Sequence, residues 1–582
     1  MSDSIVQRPL ATLQHWLASA TRALWALLRR DALVLLWFLA LALVAVAPLL
    51  PAPRTRVLGE LGDNVHYAYI AGWTAQALLL GQSPFVDPRL NYPDDLALAA
   101  NDSPYLSFLF VAPATLVLGP VFGYNLVIVL SHLLSGYCTY LWARSLTGHR
   151  CAALFAGTAF MLAPFRIFKS LGHVNMLSTQ MLPLFFWALD ASVRKREPGE
   201  RQRWLLGLAT FLLAGSSLYL LVICLVCGAL YGLVALLPDW RALVLRGWRS
   251  ALAVLLGALL GALPAISVLG GGGFAPFPVG RTRLWSADPL NFLLPSSLHL
   301  LWGDIVSALR PEPYAGEKTL YLGLVTLAMA VVGAVALYRQ PQERRRLVVW
   351  VLTALAAALF ALGTDLWINN QPVSRDQPFW LPAYYLAQLP GGGIMRVWSR
   401  FGIVTILFVA LLAAYGVRFL VQRGRTRGGQ LAVSGLLLAV LLIDLLPGRL
   451  PVAVLQPRAI DRWLAQQPGD FAVAFLPVDK PLVNETAIFG SLFHGKQMPA
   501  YIHAAHQPRA YKDFAAFAGN FPSAASIQYL RWRGLKYLIL EQRQYNGWRA
   551  PPWSELERRL AQFPELERVA ELDGFLVIAL GE

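Results

Sequence analysis

Apolar residues dominate this chain in long runs, and the polar residues that interrupt them form two kinds of connection. One kind is short and rich in arginine; the other is longer and holds aromatics, prolines and acids. A helix needs roughly 20 apolar residues to cross the hydrocarbon core of a bilayer. The runs therefore predict spans near 31–51, 121–143, 151–165, 177–193, 204–216, 218–237, 251–269, 319–338, 347–364, 400–421 and 430–447. Short cytoplasmic connections are enriched in Lys and Arg. With the N-terminus inside, the basic connections all fall on the cytoplasmic side: Arg144 and Arg150; Arg194, Lys195, Arg196, Arg201 and Arg203; Arg241, Arg246 and Arg249; Arg339, Arg344, Arg345 and Arg346; Arg423, Arg425 and Arg427. The connections 52–120, 166–176, 270–318 and 365–399 then lie outside, and function is expected there. Reading Ser103 to Leu118 as a span, or 204–237 as one kinked crossing, would each put the later arginine clusters outside, so both are rejected. The expected fold is an α-helical polytopic membrane protein of about eleven transmembrane helices.

After the last run the pattern changes. From Gly448 to Glu582 the apolar runs shorten to strand length at Phe471–Leu476, Tyr537–Leu540 and Phe575–Leu580. Helical patterns separate them at Pro457–Gln467, Ser523–Arg533 and Trp553–Gln562, with Pro468-Gly469 and Gly534 as stop signals. The division expected is a membrane domain over 1–447, with interfacial helices in its 52–120 loop, and a soluble α/β domain over 448–582. By parity that domain is extracytoplasmic. It reads either as a packing cap or as the holder of an acceptor.

Composition agrees with this division. The 582 residues are 57% hydrophobic and only 14% charged, which excludes a soluble enzyme with a simple anchor. The net charge of +16 would suggest nucleic acid in a soluble chain, but here it sits in the short loops and is topological. Cys138, Cys151, Cys224 and Cys227 all lie in apolar runs, so neither a disulfide framework nor a thiolate metal site is indicated. The first run lacks a small-residue cleavage site and reads as an uncleaved span.

Candidate chemistry concentrates in the outer connections. Leu58 to Asn101 packs Asp63, Asp87, Asp94 and Asp95 among Tyr67, Tyr69, Trp73 and several prolines. Asp63 opens a segment to Leu80 in which Val65, Tyr69, Ile70, Trp73 and Ala77 share one helical face, as in a helix lying on the bilayer. A carboxylate at a dry interface can have its pKa raised and act as general base; Asp before a helix also serves as an N-cap, and the two roles are compatible. Asp94 and Asp95 follow Asn91-Tyr92-Pro93, where an acidic pair suits a turn as well as a site or a divalent cation.

Arg166 and Lys169 stand one helical turn apart and suit a phosphate at headgroup depth, or simple snorkelling to lipid. His173 and Asn175 follow within reach of a sugar. Gly391-Gly392-Gly393 expose backbone N–H groups ahead of Arg396 and Arg400, a second anion-binding pattern. Arg281, Arg283, Trp285, His299, Trp302, Asp304 and Glu317 occupy the 270–318 loop after Gly270 to Gly273, and no spacing singles out any of them. Phosphate-cradling glycine-lysine loops, nucleophile elbows and paired-histidine zinc helices are absent from the sequence.

The order of these features resembles the GT-C glycosyltransferases, a family that includes protein O-mannosyltransferases and aminoarabinose transferases. The resemblance is carried by the basic N-terminus, one span, and a long outer loop opening with Gly62-Asp63. Next come the Arg144-Ser145-Leu146-Thr147-Gly148-His149-Arg150 turn, Ala163-Pro164, and a short outer loop before Leu182-Pro183-Leu184-Phe185-Phe186. It is best over residues 30–195. It implies an inverting membrane transferase with a polyprenyl-phosphate sugar as donor, membrane lipid around it, and a glycan, lipid or protein as acceptor. Asp63 would be the base, and Arg166, Lys169, Arg396 and Arg400 would hold the donor phosphate. His66, Tyr67, Asp94, Asp95, His173, Asn175 and Gln180 would contact sugar or acceptor. Relatives often carry an Asp shortly before the fourth span; here Ser178-Thr179-Gln180-Met181 stands there, with Gln180 or Asn175 in its place. No cofactor or metal is required on this reading, although Asp94 and Asp95 suit a divalent cation. The plasma (inner) membrane is the expected location. The rival expectations are a transporter or flippase of lipid-linked sugars and a non-catalytic envelope assembly protein. Nearly charge-free span centres speak against transport.

Overall fold

The computed structural model describes residues 29–194, 199–237, 240–267, 282–311, 315–374, 380–389, 395–503 and 507–581. The glycine run at 391–393, Arg281, Gly270 to Gly273, Lys195, Arg196 and Glu582 lie outside the described residues.

The chain is a multi-pass membrane protein built mainly of apolar helices. Among the described residues, Pro120–Thr147, Leu218–Leu236, Gly247–Ile266, Trp398–Val421 and Arg427–Leu445 are long and apolar enough to cross a membrane. Leu324–Tyr338 and Pro341–Ala361 meet that test together but are bent by 115° at their junction. Other expected spans are shorter helices. Arg150–Met161 has 12 residues, about 18 Å at the α-helical rise, against a core of about 30 Å. Among the described residues, length and apolarity alone support five or six crossings.

Local signals explain the helix ends. Pro120 occupies the first turn of Pro120–Thr147, where its missing N–H costs nothing, and Gly148 closes the helix in the left-handed region at φ 65°. His149 Nδ1 then accepts from Ala152 N at 3.3 Å and opens the next helix. Arg144 stays helical and reaches back to Tyr140 Oη at 2.6 Å and Asp31 Oδ1 at 3.2 Å. In the core, Gly402–Val421 crosses Leu324–Tyr338 at Gly416 and Gly333. A Cβ on Gly333 would lie 1.9 Å from the Leu412 carbonyl oxygen, so only glycine permits this backbone approach.

The Asp63–Leu79 helix departs from the expected surface position. Residues 64–75 are buried on every face, because Tyr105–Leu118 and Pro120–Thr147 pack on one side and Pro481–His494 of the C-terminal part on the other. Gly72 lies at the contact, where a Cβ would meet Leu492 Cδ1 at 2.6 Å and Pro120 Cβ at 2.9 Å. Its apolar face was visible in the sequence; the partner that covers its remaining surface was not.

Beyond Leu445 the chain returns to the first loop. Val452–Val454 pairs antiparallel with Arg56–Leu58. A four-stranded mixed sheet follows, in the order Ala472–Leu476, Leu535–Glu541, Phe575–Ala579, Glu567–Leu572, with its first pair parallel and the others antiparallel. Ala472–Leu476 is buried throughout, which is why it reads as a continuous apolar run. Pro481–His494, bounded by Pro481 and by Gly495 at φ 67°, had no place among the expected helices.

Candidate functional site

A buried polar cluster forms where the first loop, the short loop after Arg150–Met161, the 315–318 helix and the C-terminal part converge. Asp63 is the first residue of its helix and not the cap. Gly62 is the N-cap, and the turn is held by Asn64, whose Oδ1 accepts from Gly62 N at 3.0 Å and whose Nδ2 donates to Leu58 and Glu60 carbonyls at 2.9 and 2.8 Å. The Asp63 side chain makes no cap hydrogen bond and is 38% exposed. Its Oδ2 lies 3.4 Å from His173 Nε2, which lies at the same distance from Glu317 Oε1.

Glu317 is the centre of the cluster. Arg400 Nη2 and Nε donate to its two oxygens at 2.7 and 3.1 Å, and Lys169 Nζ donates to it as well as to the Gly316 carbonyl at 2.8 Å. Arg400 also lies over the Tyr219 ring at 4.5 Å. Burial by itself would raise the Glu317 carboxyl, but Arg400 and Lys169 hold it well below the usual range, so it is a carboxylate. Burial, reinforced by Lys169, lowers His173 below its ordinary value; the ring is neutral near pH 7 and its contacts with the two carboxylates are not salt bridges. Sequence reasoning placed Glu317 among undistinguished loop residues, and nothing in its spacing points to Lys169 or Arg400.

The C-terminal part supplies Glu485, from Pro481–His494. Asp63, His66 and Glu485 each bring one ligand-type atom within 4.8 Å of the others. Burial and the neighbouring Asp63 charge raise the Glu485 carboxyl to about 7. For Asp63 burial also raises the carboxyl, but His66, His173, His503 and Arg400 outweigh it and leave the group below its ordinary value, opposite to the raised carboxyl expected at a dry interface. Glu485 was missed altogether, because its proximity to Asp63 exists only after the two parts dock.

Other expected site residues are dispersed. Arg166 does not join Lys169: its guanidinium is fully buried and donates to Thr179 Oγ1 at 2.7 Å, the Met161 carbonyl at 2.6 Å and the Ser131 carbonyl at 2.9 Å, with His132 Nδ1 at 3.2 Å. One helical turn set both residues on one short helix, but packing drew Arg166 into the bundle and sent Lys169 to Glu317. Arg166 is thus engaged inside the bundle, apart from the contact of Lys169 with Glu317. Arg396 lies over the Trp285 ring at 5.1 Å, and its backbone N–H donates to Tyr219 Oη at 3.0 Å.

Asn175 Nδ2 donates to Asp102 Oδ2 at 3.0 Å. Asp102 is engaged further by Ser217 Oγ at 2.9 Å and by Leu218 N at 2.8 Å, so it fixes a helix start and is not a free base. Tyr67 Oη donates to the Asp102 carbonyl at 3.1 Å, and Gln180 is buried with Oε1 unpartnered among the described residues. Asp94 and Asp95 are exposed in a turn, and no hydrogen bond or ion pair joins either carboxylate to the cluster among the described residues. That turn docks on the C-terminal part: Tyr92 N donates to the Met498 carbonyl and Met498 N to the Arg89 carbonyl, at 3.1 and 2.8 Å.

Comparison with known proteins bears on the fold. A family model described as a domain of unknown function (DUF6311) matches residues 31–446. No curated protein matches the sequence. Among solved structures, the arabinofuranosyltransferase AftD from mycobacteria is similar with a TM-score of 0.55 at 14% identity, covering 95% of this chain and 40% of that one. This chain thus spans about two fifths of AftD. ArnT from Cupriavidus metallidurans, solved bound to undecaprenyl phosphate, gives a TM-score of 0.50 at 13% identity and covers 95% of this chain and 98% of its own. At such identities the likeness shows the fold, which is that of the GT-C glycosyltransferases.

Proposed function

Because the chain belongs to the DUF6311 family and has the GT-C fold, we propose that it is a membrane glycosyltransferase taking a sugar from a polyprenyl-phosphate donor to an extracytoplasmic acceptor. The observation that carries this reading is the juxtaposition of a half-exposed carboxylate, Asp63, with the Lys169 and Arg400 cations. Asp63 takes the proton of an acceptor hydroxyl, the hydroxyl oxygen attacks the anomeric carbon, and the bond from that carbon to the phosphate oxygen breaks with inversion. The lipid phosphate leaves with the electron pair and a second negative charge. Cations suit that step better than a proton donor does. Lys169 and Arg400 serve it, with Arg396 joined to the Tyr219 hydroxyl through its backbone N–H; Arg166 is left out because its donors are spent inside the bundle. Entry of the phosphate requires Glu317 to yield part of its hold on the two cations. Deprotonation of the acceptor needs no second acid, unlike glycoside hydrolysis with its two carboxyl groups. His173 lies beside Asp63 at the approach of sugar and acceptor, and Tyr67 and Asn175 meet at Asp102. The setting is the inner membrane, with the basic connections cytoplasmic and the C-terminal domain outside.

The test is transfer from radiolabelled undecaprenyl-phosphate sugars by the purified protein in lipid nanodiscs. Release of the sugar to an acceptor or to water, dependent on Asp63, supports the reading. Binding of the donor followed by its movement across the bilayer without bond cleavage would replace it with transport.

A further inference from the structure

His66 is fully buried, and neither ring nitrogen has a hydrogen-bond partner among the described residues. Buried polar groups are almost always bonded, so a histidine left this way calls for an explanation. It stands one helical turn after Asp63, which puts the two side chains on the same face of the helix. From the opposite side Glu485 approaches on Pro481–His494, and one atom from each of the three residues falls within 4.8 Å of the others. His66 is the buried member, and Asp63 and Glu485 are partly accessible, so the triad opens toward solvent and the cluster above. Two carboxylates facing one another beside an unbonded imidazole are mutually repulsive without a cation and complementary with one.

We propose that Asp63, His66 and Glu485 bind a single divalent cation that ties the membrane domain to the C-terminal domain. Two carboxylate oxygens and one imidazole nitrogen suit Mn²⁺ or Zn²⁺ and leave positions open for water or a hydroxyl-bearing ligand. The site differs from the Asp94 and Asp95 pair that the sequence offers for a cation, since that turn is exposed and has no histidine. The C-terminal domain thereby becomes a contributor to the site as well as a cover for it. The inference stands on this geometry and is independent of the transferase reading, because the binding is measured without any donor.

The experiment uses the full-length protein in detergent, stripped with chelator and titrated with Mn²⁺ while the electron paramagnetic resonance signal of the free ion is followed. The expected result is one Mn²⁺ per chain, displaced by Zn²⁺. Glu485→Gln and His66→Gln should each weaken binding on the order of 100-fold or more, beyond the 10–100-fold typical of losing an outer contact. The melting temperature of wild type should rise with Mn²⁺, and that of Glu485→Gln should not. His66 is buried, so Glu485→Gln decides the matter if His66→Gln fails to fold. Absence of binding by the stripped wild type, or wild-type affinity in a well-folded Glu485→Gln, would overturn the proposal. Loss of binding in Asp94→Asn/Asp95→Asn with retention in Glu485→Gln would overturn it also and move the cation to the turn.

Discussion

Lys169 Nζ donates to the carboxylate of Glu317, a residue 148 positions later, and the lysine side chain is wholly buried. Arg400 completes the arrangement from a third segment, so two cations share one carboxylate. Glu317 thus occupies the place at which the donor phosphate is proposed to bind, and it keeps both cations in position before any ligand arrives.

Glu317→Gln should therefore separate stability from binding. Removing the shared carboxylate leaves two buried cations side by side, and breaking a buried pair costs about 3–5 kcal/mol. Melting in nanodiscs should fall accordingly. The folded fraction should nevertheless bind undecaprenyl phosphate more tightly than wild type, because the competing carboxylate is gone. Weaker binding by folded Glu317→Gln would show that the phosphate lies elsewhere.

Asp63→Asn tests the base. The cap position belongs to Gly62 and the turn to Asn64, so in protein stripped of divalent cations the amide should change stability by no more than about 0.5 kcal/mol. Turnover should drop by roughly 10²–10⁴, the usual contribution of a general base. Wild-type turnover in a protein of wild-type melting would remove Asp63 from the mechanism.

Arg166→Gln should behave as a folding variant. Its guanidinium donates to Thr179 and to the Met161 and Ser131 carbonyls, and losing these leaves buried acceptors at about 1–3 kcal/mol each. Melting should fall with donor affinity per folded molecule unchanged. Lys169→Gln should weaken donor binding or slow transfer by on the order of 10- to 1,000-fold. A specific kinetic defect in a normally melting Arg166→Gln would restore Arg166 to the phosphate clamp.

Topology has a test of its own. The antiparallel pair between Arg56–Leu58 and Val452–Val454 requires the first loop and the chain after Leu445 to lie on one face. The arginine pattern puts that face outside. Reporter fusions truncated after residue 343 should read cytoplasmic, and those at the C-terminus extracytoplasmic. A cytoplasmic C-terminal reporter would contradict the expected orientation.

Much of the architecture is local information. Apolar runs, the arginines between them, Pro120 and Gly148 at the ends of one helix, and the strand-length runs after Leu445 each depend on neighbours a few residues away, which is the range over which hydrophobic period and capping act. The same range made Asp63, Lys169 and Arg400 visible as charges that have a cost at a membrane face. It did not distinguish Arg166 from Lys169, because one helical turn fixes their spacing but not which is pulled into the bundle.

What only the tertiary structure decided is the company each charge keeps. Glu317 has no local feature that marks it, and its role follows from Lys169 and Arg400 arriving from distant segments. His66 and Glu485 meet because Pro481–His494 packs on the Asp63–Leu79 helix. Side-chain spacing along a sequence records the geometry of one element; the pairing of charges across elements is selected by burial, since an unpaired charge or polar group costs most where water is excluded.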